Sequence, residues 1–194
     1  MKSKQVSEKL GPAFNRLFSA SVISNLSDGL LAVAAPLLAI SLTKDPVLIS
    51  MLSAFVMLPW LLFAIPIGLI VDRSNKRLLI TLTNSIRFIT AGLVALAIST
   101  DTITIYWLLL ATFLIGTCEV ATDTAAQSLI PVILEKKNFE KANSRMNIAE
   151  TVIQNFIGAP LSGFLYATAI VLPFILNSLG FLIAAIFVFM IPAH

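Results

Sequence analysis

The 194-residue chain is 58% hydrophobic and only 12% charged, with a mean hydropathy of +0.95. A soluble globular domain carries roughly a quarter charged residues, so this composition excludes water as the main solvent. The formal net charge of +3 sits in short clusters between long apolar runs rather than along one face, which argues against a nucleic-acid partner and for topology signals.

A bilayer core about 30 Å thick takes about 20 apolar residues per helical crossing. The charge-poor stretches predict an all-α membrane protein with transmembrane spans at 17–42, 47–71, 78–99, 103–130, 147–166 and 171–191, preceded by a cytoplasmic N-terminal segment at 1–16. That opening segment has the basic character of a signal peptide. The apolar run after it is longer than the roughly 7 to 15 residues of a signal-peptide core, which predicts a retained first helix.

Short connections join the spans. TKDP holds Pro46, placed to open the second helix at its first position. DRSNKR and STDTIT follow, and Tyr106 with Trp107 then form an aromatic anchor at the membrane interface. PVILEKKNFEKANSR reads as the longest loop, and ATAIVLP as the break between the last two spans.

Taken on alternate sides, eleven lysines and arginines fall on the side of the N-terminus, including Lys2, Lys4 and Lys9, against Lys44 alone on the other. This asymmetry predicts a multi-pass membrane protein with both termini cytoplasmic. The remaining basic residue, Arg87, lies inside the third span.

At an offset of 95 residues Asp28 and Pro36 pair with Asp123 and Pro131, and Gly68-Leu-Ile with Gly163-Phe-Leu. Three spans per copy would make the second copy inverted, the 3+3 arrangement from which halves of secondary transporters are built.

Within the spans, ionisable residues mark candidate chemistry. Asp28 and Arg87 lie about ten to twelve residues from the cytoplasmic ends of their spans, roughly 15 to 18 Å along a helix and so near the midplane. Glu119 has similar depth and shares a helical face with Thr122 and Asp123, the latter nearer the cytoplasm. Asn25, Asp28 and Gly29 form a polar stripe on the first span, and Asn147, Glu150, Thr151 and Gln154 one on the fifth. Each central charge costs about 2.5 to 3.5 kcal/mol on insertion, which argues for partners or a function. Asp28, Glu119 and Glu150 are candidate proton carriers lining a cavity, with Arg87 and Asn25 beside them; a fixed ion pair of Arg87 with Glu119 or Asp28 is the structural alternative. Asp123 is placed to pair with Arg73 or Arg77 near the cytoplasm.

The chemistry of enzymes and cofactors finds no support. His194 is the only histidine, and there is no phosphate-binding loop, zincin helix or nucleophile elbow. Cys118, the only cysteine, excludes an intrachain disulfide and a thiolate zinc site, and is expected to pack as a small buried residue. No metal, cofactor or catalytic activity is expected.

Between spans two and three, Gly68, Asp72, Arg73, Asn75, Lys76 and Arg77 follow a pattern that resembles the loop motif of the major facilitator superfamily, G-x-x-x-D-R-x-G-R-R/K, at the matching place in the topology. Gly68 would let another helix approach, Asp72 would face the positive end of a helix dipole, and the cations would pair with cytoplasmic acids to form a gate. Asn75 replaces the family's glycine, and Asn enters the left-handed region more readily than other non-glycine residues.

On the fifth span Gly158, Pro160 and Gly163 resemble a degraded form of the G-P-x-x-G-G motif of facilitator-family exporters, in which small residues permit close packing and Pro160 can kink the helix. The runs NLSDGLLAVAAPLLAISLT, LPWLL and NSIRF are similar to the bacterial macrolide and siderophore efflux branch over essentially the whole chain.

The resemblance implies the N-terminal half of a major facilitator fold, with a cavity formed by spans one, two, four and five, and proton-coupled export of a small amphipathic molecule such as a drug or siderophore. It also implies as partners the lipid bilayer, protons, the transported molecule and a second six-helix half. Residue 194 falls just after the last span, where the family has a long linker, so a fragment, a truncated inactive half or a half-size subunit is expected. A non-transporting assembly or regulatory partner is the alternative.

Cysteines introduced at Ser74 and Asn138 are expected to react with membrane-impermeant reagents only from the cytoplasmic side. Labelling of either from outside intact cells would reverse the orientation.

Overall fold

The computed structural model describes residues 10–192, so Lys2, Lys4, Lys9 and His194 lie outside the described residues. Helix α1 spans Gly11–Leu42, α2 Pro46–Arg73, α3 Lys76–Ser99 and α4 Ile105–Ile133. After a 3-10 turn at Lys136–Asn138 come α5 (Phe139–Ile148), a π-helical segment (Ala149–Gly158) and α6 (Ala159–Thr168), then α7 (Leu172–Phe189). Among the described residues there is no strand.

Five of these helices, α1 to α4 and α7, are individually long and apolar enough to cross a membrane. A sixth column is made by α5, the π segment and α6, which run on through residues of helical backbone angles at both junctions.

Local chemistry sets the helix starts. Pro12 lies in the first turn of α1, where its missing N–H costs nothing, and the helix begins ahead of the expected residue 17. Asp45 caps α2, its Oδ1 accepting from the Val47 N–H at 2.8 Å, with Pro46 next in the chain. The Asn75 Oδ1 accepts from the Leu78 N–H at 3.2 Å, and Asn75 has φ −70° and ψ 104°. Asn75 therefore corrects the left-handed expectation: it stands in the glycine's place as an N-cap in extended backbone.

The stretch expected as the longest loop is mostly helical. Pro131, Val132 and Ile133 complete α4, and α5 has begun by Phe139. The real connection is a tight corner.

The helices pack in the order α2, α4, α3, α7, α1 and the α5–α6 column, and α1 touches α4 to close the bundle. Two apolar clusters hold its ends. Phe14, Leu17, Val71, Ile80, Val120 and Ile130 belong to one, at the end that carries Arg73 and Arg145. Ala35, Leu38, Leu52, Leu108 and Phe174 belong to the other, at the Lys44 end. Between them the apolar core shrinks to Ala91, Ile115 and Phe181, because polar side chains take the middle level.

Glycine sets the closest approach. A Cβ at Gly29 would meet the Gln154 carbonyl and stand 2.9 Å from the Gly158 Cα, so α1 and the π segment pass backbone against backbone. Gly180 of α7 rests in the same manner on the Ser27 side chain. Gly68 and Gly163 differ: a Cβ at either would have no heavy atom within 4 Å. The close approach expected at these two positions is absent within this bundle, since both face away from their neighbours.

The π winding ends where Ala159 N–H donates to the Gln154 carbonyl, immediately before Pro160. A proline removes one donor from the ladder and crowds the preceding turn, and the wider i→i+5 winding accommodates both. The irregularity expected at Pro160 thus lies in the ten residues before it.

Gly29→Ala should lower stability by about 1 to 3 kcal/mol, the usual cost of forcing atoms into a packed contact. Gly68→Ala and Gly163→Ala should leave it unchanged or raise it by up to about 1 kcal/mol, since the added methyl fills open space in a helix. Thermal unfolding in detergent reads both, and equal effects at all three positions would remove the close-approach argument.

Candidate functional site

At mid-height Arg87 of α3 is fully buried, with 0% exposure. An unpaired guanidinium there would be untenable, and it has three partners. Its Nη2 pairs with the Asp28 carboxylate of α1, its Nη1 donates to Ser24 Oγ at 3.0 Å, and its carbon lies 3.9 Å from the centre of the Phe181 ring of α7. Of the two acids expected as partners, Asp28 holds Arg87. Glu119 makes no ion pair with it.

Other polar groups at this level bind helix to helix. The Asn177 Nδ2 donates to the Ser27 carbonyl at 2.6 Å, Ser162 Oγ to the Leu30 carbonyl at 2.6 Å, and Ser178 Oγ to the Phe88 carbonyl at 2.8 Å. Thr83 and Thr122 share a hydrogen bond of 2.7 Å between α3 and α4. In an apolar solvent such bonds replace the hydrophobic drive that would hold helices together in water. Of these residues the sequence marks only Thr122, through the helical face it shares with Glu119 and Asp123. Asn84 and Arg87, three apart on α3, were the available signal for a polar face.

Around this level lies an open cavity of about 340 Å³ among α1, α2, α4 and the π segment. Asp28, Glu119 and Gln154 form its polar floor, and Trp60, Met57 and Pro36 are among its walls. Its walls follow α1 from Asp28 towards Pro36 and α4 back from Glu119 to Thr112, so it extends from mid-height towards the Lys44 end.

The remaining candidates distribute differently. Asn25 and Asp123 face one small crevice with Ser21, Asn84 and Thr122, on the other side of the Arg87 level. Asn25 Nδ2 donates to the Ser21 carbonyl at 2.8 Å. Among the described residues Asp123 pairs with neither Arg73 nor Arg77, a correction with a simple cause. Asp123 lies ten residues before the end of α4, about 15 Å along the axis, whereas Arg77 is in the first turn of α3. The Arg77 guanidinium lies 5.0 Å from the centre of the Phe189 ring instead.

Asp72 and Arg73 are exposed and, with Lys76, form no ion pair among the described residues. Glu150 is also exposed and does not line the cavity, although Gln154 does. The stripe expected on the fifth span divides: Asn147 and Thr151 line one open groove, Gln154 lines the cavity and Glu150 lines neither. Pro160 is exposed, and Gly158 is the member of its motif that meets another helix, at the Gly29 Cα.

An all-helical bundle with a buried arginine and a polar-floored cavity among four apolar columns is the build of a membrane transport domain. The family model described as Major Facilitator Superfamily matches residues 17–194, and the chain belongs to that superfamily of multi-pass membrane transporters. No curated protein and no solved structure matches the chain.

Asp28→Asn or Arg87→Leu should each destabilise the protein by about 3 to 5 kcal/mol, because each strands a buried charge. The neutral double variant Asp28→Leu with Arg87→Met should recover most of that loss. Unfolding midpoints of the three variants test this, and a double variant as unstable as the sum of the singles would show that the pair is not the unit.

Proposed function

We propose that the chain is the N-terminal half of a proton-coupled exporter of small amphipathic molecules, of the macrolide and siderophore efflux type. It acts in a bacterial plasma membrane with both termini cytoplasmic. The observation that carries this reading is the cavity whose apolar walls end on Asp28, Glu119 and Gln154. An acid in such a place can hold a proton in one state and release it in another, and bound substrate competes for the same space.

The pattern of contacts supports an inverted repeat. Exchanging the first three columns with the last three turns α1 against α7 into α4 against α3, and α2 against α4 into the α5–α6 column against α1. It leaves α3 against α7 as its own counterpart. Gly116 of α4 facing Pro59 of α2 parallels Gly29 of α1 facing the π segment.

The surface of α2 supports a second half. Leu61 and Ile65 are 81% and 80% exposed, and Gly68 opens on the same helix with free space around it. A second bundle rocking against α2 and the α5–α6 column would cover them, and would bring a helix N-terminus to Asp72 and acids to Arg73, Lys76 and Arg77 in one of two states. A mere assembly partner would use such faces equally well, yet would have no need of acids around a cavity.

In the complete transporter Glu119→Gln should abolish uphill export, while abundance stays as in the parent and exchange down a gradient persists at saturating substrate. Glu150→Gln should do less, since that carboxylate stands outside the cavity wall. Export and its pH dependence, followed in vesicles with an imposed proton gradient, decide the matter. An unaltered profile in Glu119→Gln would remove the coupling role.

A further inference from the structure

The charges around the cavity are unequal in a way that defines its ligand. Asp28 is balanced by Arg87 and contributes no net charge. Glu119, half-buried on α4, has no ion pair or hydrogen bond among the described residues and opens into the cavity. No lysine or arginine side chain lines the cavity. A carboxylate or phosphate entering it would face Glu119 without a cation to receive it.

The walls beyond Glu119 are mostly apolar, with Ser53 and Thr112 the hydroxyls among them. Leu52, Val56, Met57 and Trp60 of α2 stand across from Ile115 of α4, one turn from Glu119. Trp60 offers the aromatic face that attracts organic cations most strongly, and methionine adapts to bodies of different shape. A volume of about 340 Å³ lies within the range of small-molecule sites.

We infer that this cavity binds organic monocations, with the positive centre held between Glu119 and Trp60 and the apolar body lying along Val56, Met57 and Ile115. The inference rests on reading the cavity as a transport site and adds the charge of what is carried. It assigns different tasks to the two acids: Asp28 holds Arg87 in place, and Glu119 exchanges a proton for the cation.

Two ions of nearly the same shape and opposite charge, tetraphenylphosphonium and tetraphenylborate, test this. The chain has two tryptophans, so Trp107→Phe, at the first turn of α4 and outside the cavity, leaves Trp60 as the sole indole reporter. Titrated into the full chain in non-ionic detergent, tetraphenylphosphonium should quench Trp60 saturably and bind at least tenfold more tightly than tetraphenylborate. Glu119→Gln should remove most of that preference and Glu119→Asp should keep it. Equal affinity for the two ions, a preference that survives Glu119→Gln, or no saturable quenching would each overturn the inference. If Glu119→Gln fails to fold, the ratio of the two ions on the parent decides alone. Uphill export is measured separately in vesicles: a cation that binds as described but is never moved upholds the site and rejects the transport reading.

Discussion

A guanidinium buried at the middle of an apolar bundle has to be answered from several directions at once. Arg87 draws Asp28 and Ser24 from α1 and the Phe181 ring from α7, and so fixes the rotation of three helices about their axes. Rotation of α1 by a residue or two would strand both charges in a low-dielectric interior, at a cost of several kcal/mol. Apolar side chains could not impose this alone, because a lipid tail competes for them on nearly equal terms. The two large apolar clusters lie above and below, and the middle is specified by polar bonds.

The same constraint explains where the bundle is tightest. With α1 oriented by Arg87, its glycine at position 29 faces the π segment, and Gly158 answers it with a second missing side chain. Ser162 then donates to the Leu30 carbonyl one turn on, so the α5–α6 column is tied to α1 on the far side of that contact. The π winding is a local consequence of Pro160. Gln154 enters the cavity, while Glu150, four residues nearer the Arg145 end of the column, stays outside it.

Spans, turn positions and the presence of intramembrane charges were legible in the sequence because each depends on composition over a window or on one residue's own chemistry. What was not legible depends on rotation about helix axes. Glu119 and Asp28 have similar depth and could both reach for Arg87; only packing selects Asp28. Asp123 looked able to meet Arg73 or Arg77 because depth along different helices is hard to compare from a sequence. Asn75 is ambiguous for another reason: an Asn before a helix can serve as an N-cap or enter the left-handed region, and the loop motif's glycine points to the second. Small neutral residues such as Ser24, Ser162 and Asn177 carry no signal of their own, yet they hold the helices.

Two acids near one depth therefore differ in kind. Asp28 is bound to a partner that is fully buried and held besides by Ser24 and the Phe181 ring. Releasing that carboxylate to take a proton would expose an uncompensated cation, which opposes its use as a carrier. Glu119 has no such bond to break and already opens on the cavity, so a proton or a ligand can reach it without disturbing the bundle. In the proposed transporter, whose domain would rock as a body while its site changes occupancy, the rigid pair and the free acid are complementary: one would preserve the helix arrangement through the cycle, and the other would be left available for exchange.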